Sequence, residues 1–434
     1  MFLQEKLLKA AAGNAPVRVC LIGAGKFGSM FLSQVPTTPG LVVTRIADLR
    51  PDAARSACRT VGWDEARVDA VKISDDAPSA LAADDVDVVV EATGNPHAGV
   101  RHARAAIAAG KHVVMVNVEA DVFAGAALAR EARAAGMVYS MAYGDQPALT
   151  AEIVDWARSC GFDVVCAGKG TKYRPHYHQS TPETVWEYMG FDPDQAVRDG
   201  MNPRMFNSFT DGTKSSLEMA AIANACGLTP PADGLLFPPC GVDDLAHILR
   251  PASEGGVLEA KGMVETVSSE ERDGRPVFRD LRWGVYAVFE APNDYAAGCF
   301  RQYGMNTDAS GRYSAMYKPF HLIGMELNVS ILSAALLGQA TGETRAFNGD
   351  VVATAKRDLT AGETLDGEGG YCVWGKLVPA ARSVREALLP IGLADRVKLA
   401  RDVKAGATLG YADVAIPEDN DVAAYRRAME RTNA

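Results

Sequence analysis

Short, almost wholly apolar runs alternate with helix-patterned segments along the first third of the chain. VRVCLIG begins at Val17, LVVTRIAD ends in Asp48, and VDVVVEATG spans 86–94. NPHAGVRHARAAIAAG reads as a helix, with Pro96 near its start and Gly110 as its C-cap. KHVVMVNVEADV (111–122) reads as the next strand, running into a polar clip of Asn117, Glu119 and Asp121. AGAALAREARAAG then reads as a helix and MVYSMAYGDQP as another strand. Repeated strand–helix units imply a parallel sheet with ligands at the C-terminal strand ends. Thr93, Gly94, Asn95, Asn117, Glu119, Gly144 and Asp145 fall on that rim.

From Ala148 the alternation loosens. LTAEIVDWARSC reads as a helix and FDVVCAGKGT as a strand with Lys169 and Lys172 at its end. The stretch 173–206, rich in Tyr, His and Pro, reads as a long loop with one short helix, the kind of segment that forms a lid or a mobile surface. TKSSLEMAAIANAC (213–226) reads as a buried helix on which Lys214 and Glu218, four apart, share a face. RPASEGGVL (250–258) has the polar, flexible look of a ligand-contacting loop. In SAMYKPFHLIGMELNVSILSAALLG (314–338), Lys318 and His321 precede a long apolar helix.

Two segments near the C-terminus echo each other 44 residues apart: AKRDLTAGETLD (355–366) and LARDVKAGATLG (399–410). The pair predicts two similar strand–turn elements in a small β-rich domain. The expected fold is α/β: a helix over 1–16, an N-terminal Rossmann doubly wound parallel sheet over 17–147, a central α+β substrate and oligomerisation domain over 148–345, a C-terminal β-rich SAF-like domain over 346–420, and a tail over 421–434.

Composition changes little in this picture. The 434 residues are 48% hydrophobic and 23% charged, and the net charge of −10 gives no support to a nucleic-acid or anionic-membrane partner. MFLQEKLLKAAAGNAP carries Glu5 and lacks the long apolar core of a signal peptide; Phe2, Leu3, Leu7 and Leu8 look like one face of a packing helix. No apolar run is long enough to span a bilayer. The eight cysteines form no CxxC pair, and several, in apolar runs such as VRVCLIG and DVVCAGKG, read as core thiols; a reduced, cytoplasmic protein is expected. His176 and His178 have HxH spacing and would share a face on an extended chain, but no further ligands can be assigned, so no metal is expected.

The most specific motif is Gly23-x-Gly25-x-x-Gly28. It follows a strand, opens a helix and is followed by a second strand ending in Asp48, twenty residues beyond Gly28. That is the dinucleotide fingerprint in its structural context. Gly23, Ala24, Gly25, Lys26, Phe27 and Gly28 are expected at the pyrophosphate, and Thr93, Gly94 and Asn117 elsewhere along the cofactor. Asp48 should accept from the adenosine ribose and repel a 2′-phosphate, favouring NAD; Arg50 is the group that would instead admit NADP.

Two resemblances follow. The first half resembles the NAD-binding domain of homoserine dehydrogenase. From about Val17 to Ile416 the chain resembles the bacterial 1-deoxy-D-xylulose 5-phosphate reductoisomerase-like family, through GKHVVMVNVEADV, AGKG (167–170), DGTKSSLEMAAIANACGL (211–228), EGGVL (254–258) and the two SAF-like segments. The resemblance implies a dimeric NAD(P)-dependent oxidoreductase that couples isomerisation of a phosphosugar to hydride transfer. In homoserine dehydrogenases the segment equivalent to VVMVNV ends in a lysine; here Val118 stands in its place.

The acid/base group must then come from elsewhere. Lys169 is the first candidate, Lys214 with Glu218 the second, and Glu119 the candidate on the cofactor side; Asp145, Lys172, Lys318 and His321 are candidate substrate contacts. The expected activity is NAD(P)-dependent oxidoreduction, as a dehydrogenase or reductoisomerase, of a small polar hydroxy-carbonyl compound of the phosphosugar kind, by a homodimer. The alternatives are a semialdehyde or hydroxy-acid dehydrogenase without isomerisation and, from another class, a non-catalytic dinucleotide-sensing protein.

Overall fold

The computed structural model describes residues 3–198 and 200–432. The chain divides into two compact units, Met1–Leu149 with His321–Arg345, and Thr150–Phe320 with Ala346–Ala434. Among the described residues no helix is long and apolar enough to cross a membrane.

The first unit is built on six strands: β1 (Val17–Ile22), β2 (Leu41–Ala47), β3 (Lys72–Ser74), β4 (Val88–Glu91), β5 (His112–Met115) and β6 (Tyr139–Met141). They pair in the order β3-β2-β1-β4-β5-β6, all parallel. This is the doubly wound order whose switch point lies between β1 and β4. The central strands β1, β4 and β5 are mostly apolar and buried, as a parallel sheet covered on both faces requires. The N-terminal helix Leu3–Ala12 buries Leu7 in this core, whereas Leu8 is exposed and Phe2 lies outside the described residues. Leu327, Ile331 and Leu332 also enter this core. The returning segment around the helix Asn328–Leu337 therefore belongs with the dinucleotide-binding sheet, not with the 148–345 region to which the sequence pattern assigns it.

A second correction concerns 111–122. Strand β5 stops at Met115, and Val118–Ala134 is a helix. Asn117 caps it, its Oδ1 accepting from Ala120 N at 3.0 Å, and Glu119 and Asp121 lie in its first turn, where carboxylates favour a helix start. These local signals outweigh the strand preference of Val116, Val118 and Val122. Glu119 is thus a first-turn helical residue, half-buried, rather than the end of a strand.

In the second unit β7 (Asp163–Thr171), β8 (Met263–Ser268), β9 (Val285–Glu290) and β10 (Tyr313–Lys318) form a sheet in the order β10-β9-β7-β8, with β7 and β8 parallel and the other pairs antiparallel. The helix Thr213–Cys226 is buried at every described position except Lys214. It packs on β7 and β8, and also on the pair β11 (Gly349–Ala355) and β13 (Val373–Pro379), which flank the short β12 (Thr364–Asp366) in sequence. β12 pairs in turn with β14 (Asp395–Leu399), and β14 with β15 (Val414–Ala415). Because one helix serves both sheets, 346–434 shares a unit with 150–320. The expected long loop is instead a 3-10 turn, Pro175–Gln179, and three short helices, Val185–Met189, Pro193–Arg198 and Pro203–Thr210. Pro175, Pro193 and Pro203 each sit at a first helical position, where proline is compatible.

The echoed segments have a structural counterpart. Leu359 and Val403 exchange backbone hydrogen bonds at 2.8 and 2.9 Å. Asp358 Oδ1 accepts from Ala405 N at 2.9 Å and Asp402 Oδ1 from Ala361 N at 2.8 Å. Gly362 and Gly406 turn with φ +85° and +79°. Each Asp closes the other segment's turn, so the two copies pair about a local two-fold.

The expected tail is a helix, Asp421–Thr432, anchored by the fully buried Arg426. Its guanidinium meets Asp350 Oδ2 at 2.6 Å and Glu430 Oε1 at 2.7 Å and lies over the Phe347 ring. Arg426→Met strands Asp350 in the interior and is expected to cost about 3–5 kcal/mol in denaturant unfolding. Adding Asp350→Asn should recover much of that loss.

Candidate functional site

In the first unit the three glycines of the motif have distinct jobs. Gly23 turns with φ +92°, and a Cβ there would stand 2.9 Å from the Ala92 carbonyl oxygen. A Cβ on Gly28 would stand 2.6 Å from the Gly23 carbonyl oxygen, so only glycine lets helix and turn close. Gly25 caps the helix Lys26–Gln34 without any side-chain cap, and the space over it is open. The first-turn N–H groups are therefore free for an anion, which is what a dinucleotide pyrophosphate requires. Ala24 is buried, Lys26 exposed, and Phe27 packs on the core. Both oxygens of Asp48 are engaged: Oδ2 accepts from Ala24 N of the glycine loop at 2.9 Å and Oδ1 from Arg50 N, two residues on, at 2.8 Å. Arg50 itself is exposed.

At the ends of β4 and β5 lies a buried polar knot. Glu91, wholly inaccessible, accepts from Thr93 Oγ1 at 2.6 Å, Asn117 Nδ2 at 3.1 Å and His102 Nδ1 at 3.1 Å. Asn117 Nδ2 also donates to the Asn95 carbonyl at 2.9 Å. Gly94 has φ +67° and open space beside it. Asp145, buried, accepts from Gln146 N at the start of the helix Gln146–Ser159. Asp121 accepts from Tyr139 Oη and Thr344 Oγ1, each at 2.9 Å.

In the second unit Lys169 and Glu218 form an ion pair whose side chains are 5% and 3% exposed. Lys169 lies within β7, opposite Thr266 of β8 and Val285 of β9. Gly168 and Gly170 leave no space for a ligand beside them. Carbonyls of Glu265 and Leu281 occupy the places their Cβ atoms would take. The glycines let the strands close and so bury Lys169. The Thr266 hydroxyl beside it is buried without a hydrogen-bond partner among the described residues. Lys214 is half-buried one turn before Glu218, so Glu218 pairs with Lys169 while sharing a helix face with Lys214.

A second buried pair, Lys356–Asp211 at 2.7 Å, stands just before the same helix. The Lys356 ammonium also donates to the Ser180 and Gly370 carbonyls, each at 2.8 Å. His178 shares no extended face with His176; both lie on the 3-10 turn. His178 Nδ1 meets the Asp211 carbonyl at 2.7 Å, Nε2 meets Tyr173 Oη at 2.9 Å, and the ring stacks on Trp374. Burial pulls its pKa down. Among the described residues no group of three His, Cys, Asp or Glu is placed to hold a metal ion.

Three expected substrate contacts lie in other settings. Lys172 donates to the Tyr188 carbonyl and stands 3.6 Å from Glu270. Lys318 ends strand β10 and pairs with Glu152, while the apolar helix starts only at Asn328, so no basic cluster opens that helix. His321, half-buried, falls in the first unit. The stretch 250–258 is a tight loop closed on itself, with Ala252 N bonded to the Leu258 carbonyl and the place of a Gly256 Cβ taken by the Arg250 backbone.

Residues 17–141 match the family model of the oxidoreductase family with NAD-binding Rossmann fold, and residues 144–327 that of the oxidoreductase DRL catalytic domain. Both models are of oxidoreductase families, and each match covers less than half of the chain. No curated protein matches this chain. Among solved structures it is similar to the 3-ketoreductase KijD10 from Actinomadura kijaniata in complex with NADP and TDP-benzene, at 20% identity over 37% of this chain and 48% of that one, TM-score 0.27. It is also similar to myo-inositol dehydrogenase from Lactobacillus casei in complex with NAD(H) and myo-inositol, at 18% identity over 39% and 50%, TM-score 0.30. A probable dehydrogenase from Thermotoga maritima matches at 15% identity over 63% and 72%, TM-score 0.33. The chain spans about half the length of the first two.

Sequence reasoning passed over Glu91, Asp211, Lys356 and the Tyr173–His178 contact. The one available signal was a glutamate closing the otherwise apolar run VDVVVE. Asp48 generates a cofactor prediction. NADH should bind more tightly than NADPH in equilibrium titrations, and Asp48→Ser should weaken NADH about tenfold while improving NADPH. Asp121 generates a pH prediction. Burial pushes its carboxyl up to about 6, against the pull of its two hydroxyl bonds. The folded state therefore holds this proton more tightly than the unfolded chain. The stability it contributes is full below about pH 4 and lost as pH rises through about 6. Asp121→Asn should gain on the parent protein in thermal unfolding between about pH 4 and pH 8; a constant difference would contradict the assignment.

Proposed function

We propose that this protein, as a dehydrogenase or reductoisomerase, moves a hydride between a nicotinamide dinucleotide and a small polar hydroxy-carbonyl substrate of the phosphosugar class, with Lys169 handling the proton. The observation that carries the reading is the buried Lys169–Glu218 pair within the residues that match an oxidoreductase catalytic domain. When bound, the cofactor supplies or accepts the hydride. A carbonyl that receives hydride becomes an alkoxide and needs a proton; a carbinol that loses hydride must release one. A lysine in a water-poor setting can donate as the ammonium in one direction, accept as the neutral amine in the other, and as the ammonium stabilise the oxyanion. Glu218 holds the ammonium in place and balances its charge. Lys214, on the same helix face and less buried, is the second candidate for that proton.

A screen of free and phosphorylated sugars and sugar acids for change in NADH absorbance tests the reading, and product analysis separates reductoisomerisation from simple dehydrogenation. With an active substrate, Lys169→Met should cut turnover by about a hundredfold or more while NADH binding stays intact. Near-normal turnover in that variant would remove Lys169 from the mechanism and shift the role to Lys214.

A further inference from the structure

We propose that Glu91 is a buried anionic group tuning the cofactor site, favouring the oxidised, cationic nicotinamide over the reduced, neutral one. The inference rests on the dinucleotide reading of the first unit.

The geometry around Glu91 is purpose-built. It closes β4, which lies beside β1 at the switch point where a dinucleotide sits. Its donors come from three separate places: Thr93 just past β4, His102 on the helix Pro96–Ala108, and Asn117 just past β5. A carboxylate offers only lone pairs, so His102 donates Nδ1–H and Thr93 its hydroxyl proton. The Asn117 amide orientation is fixed as well, because its oxygen caps the following helix at Ala120 N. Room for the contact comes from Gly99, where a Cβ would stand 2.8 Å from Asn117 Nδ2 and 3.3 Å from Glu91 Oε2. Two of the donors, a hydroxyl and an amide, hold an anion in place without cancelling its charge. A wholly buried carboxylate is costly to keep unless its charge is used or compensated. The two redox forms of nicotinamide differ by one positive charge on the ring. A fixed anion at this strand end lowers the energy of the cationic form, by an amount that falls with distance and with the effective dielectric.

Equilibrium titration of NAD+ and NADH with the full-length protein, each to a Kd, tests this. Glu91→Gln should raise the ratio of the NAD+ to the NADH dissociation constant about fivefold or more. His102→Lys, a change on a partly exposed helix position, keeps Glu91 but sets a permanent cation against it, and should move the ratio the same way. It also serves if Glu91→Gln does not fold. Thr93→Val removes one hydrogen bond and keeps the charge; it should weaken both ligands with little change in ratio. Parallel loss of both affinities in Glu91→Gln and His102→Lys, or no change in either, would overturn the proposal and leave Glu91 a structural knot. Failure of the unmodified protein to bind either dinucleotide would instead overturn the reading beneath it.

Discussion

A lysine ammonium buried against a glutamate, Lys169 on Glu218, is the constraint around which the second unit is arranged. Taking both charges out of water costs several kcal/mol per ion, recovered only with close contact and fixed geometry. The surrounding sequence supplies that geometry. Gly168 and Gly170 let β7 close on neighbouring carbonyls and put Lys169 inside. The helix Thr213–Cys226, covered by two sheets, carries Glu218 and is held at its start by Lys356 on Asp211. A second strand pair approaches the same helix through Gly349, beside Ala220, and Gly375, which leaves room for Thr213. Thr213 Oγ1 also accepts from Gly375 N at 2.8 Å. Buried charge is a poor source of stability, so a unit that keeps one such pair on this helix and another just before its start is organised for position rather than for maximal stability.

The first unit handles its anions differently. Asp48 is spent on backbone N–H groups of Ala24 and Arg50, Glu91 on Thr93, Asn117 and His102, and Asp121 on two hydroxyls, with no lysine or arginine side chain among the hydrogen bonds described for these groups. Asp48 and Glu91 stand at the C-terminal ends of parallel strands, where this architecture receives its ligand.

What the sequence made legible follows physical range. The glycine motif, Asp48 and the alternation of strands and helices are set by local backbone needs, and a reader of residues can find them. The echo between 355–366 and 399–410 was visible as identity, though not that each Asp would cap the other's turn. Residues 111–122 misled because a valine-rich run carries a strand signal while the capping signal of Asn117 with Glu119 and Asp121 is weaker to the eye. The buried pairs were out of reach: Lys169 and Glu218 are far apart in sequence, and nothing local says that a lysine between glycines is enclosed rather than exposed. The helix at 328–337 was assigned to the wrong unit for the same reason, since its partners lie near the N-terminus.

The central claim is that Lys169 and Glu218 act on stability as a pair while Lys169 alone carries the proton. A double-mutant cycle measures this directly, with Lys169→Met, Glu218→Met and the combined variant compared in denaturant unfolding and in single-turnover hydride transfer. The account predicts that each single change costs about 3–5 kcal/mol of stability, that the double change restores most of it, and that hydride transfer stays lost wherever Lys169 is absent. Additive stability losses, or hydride transfer restored in the double variant, would contradict it.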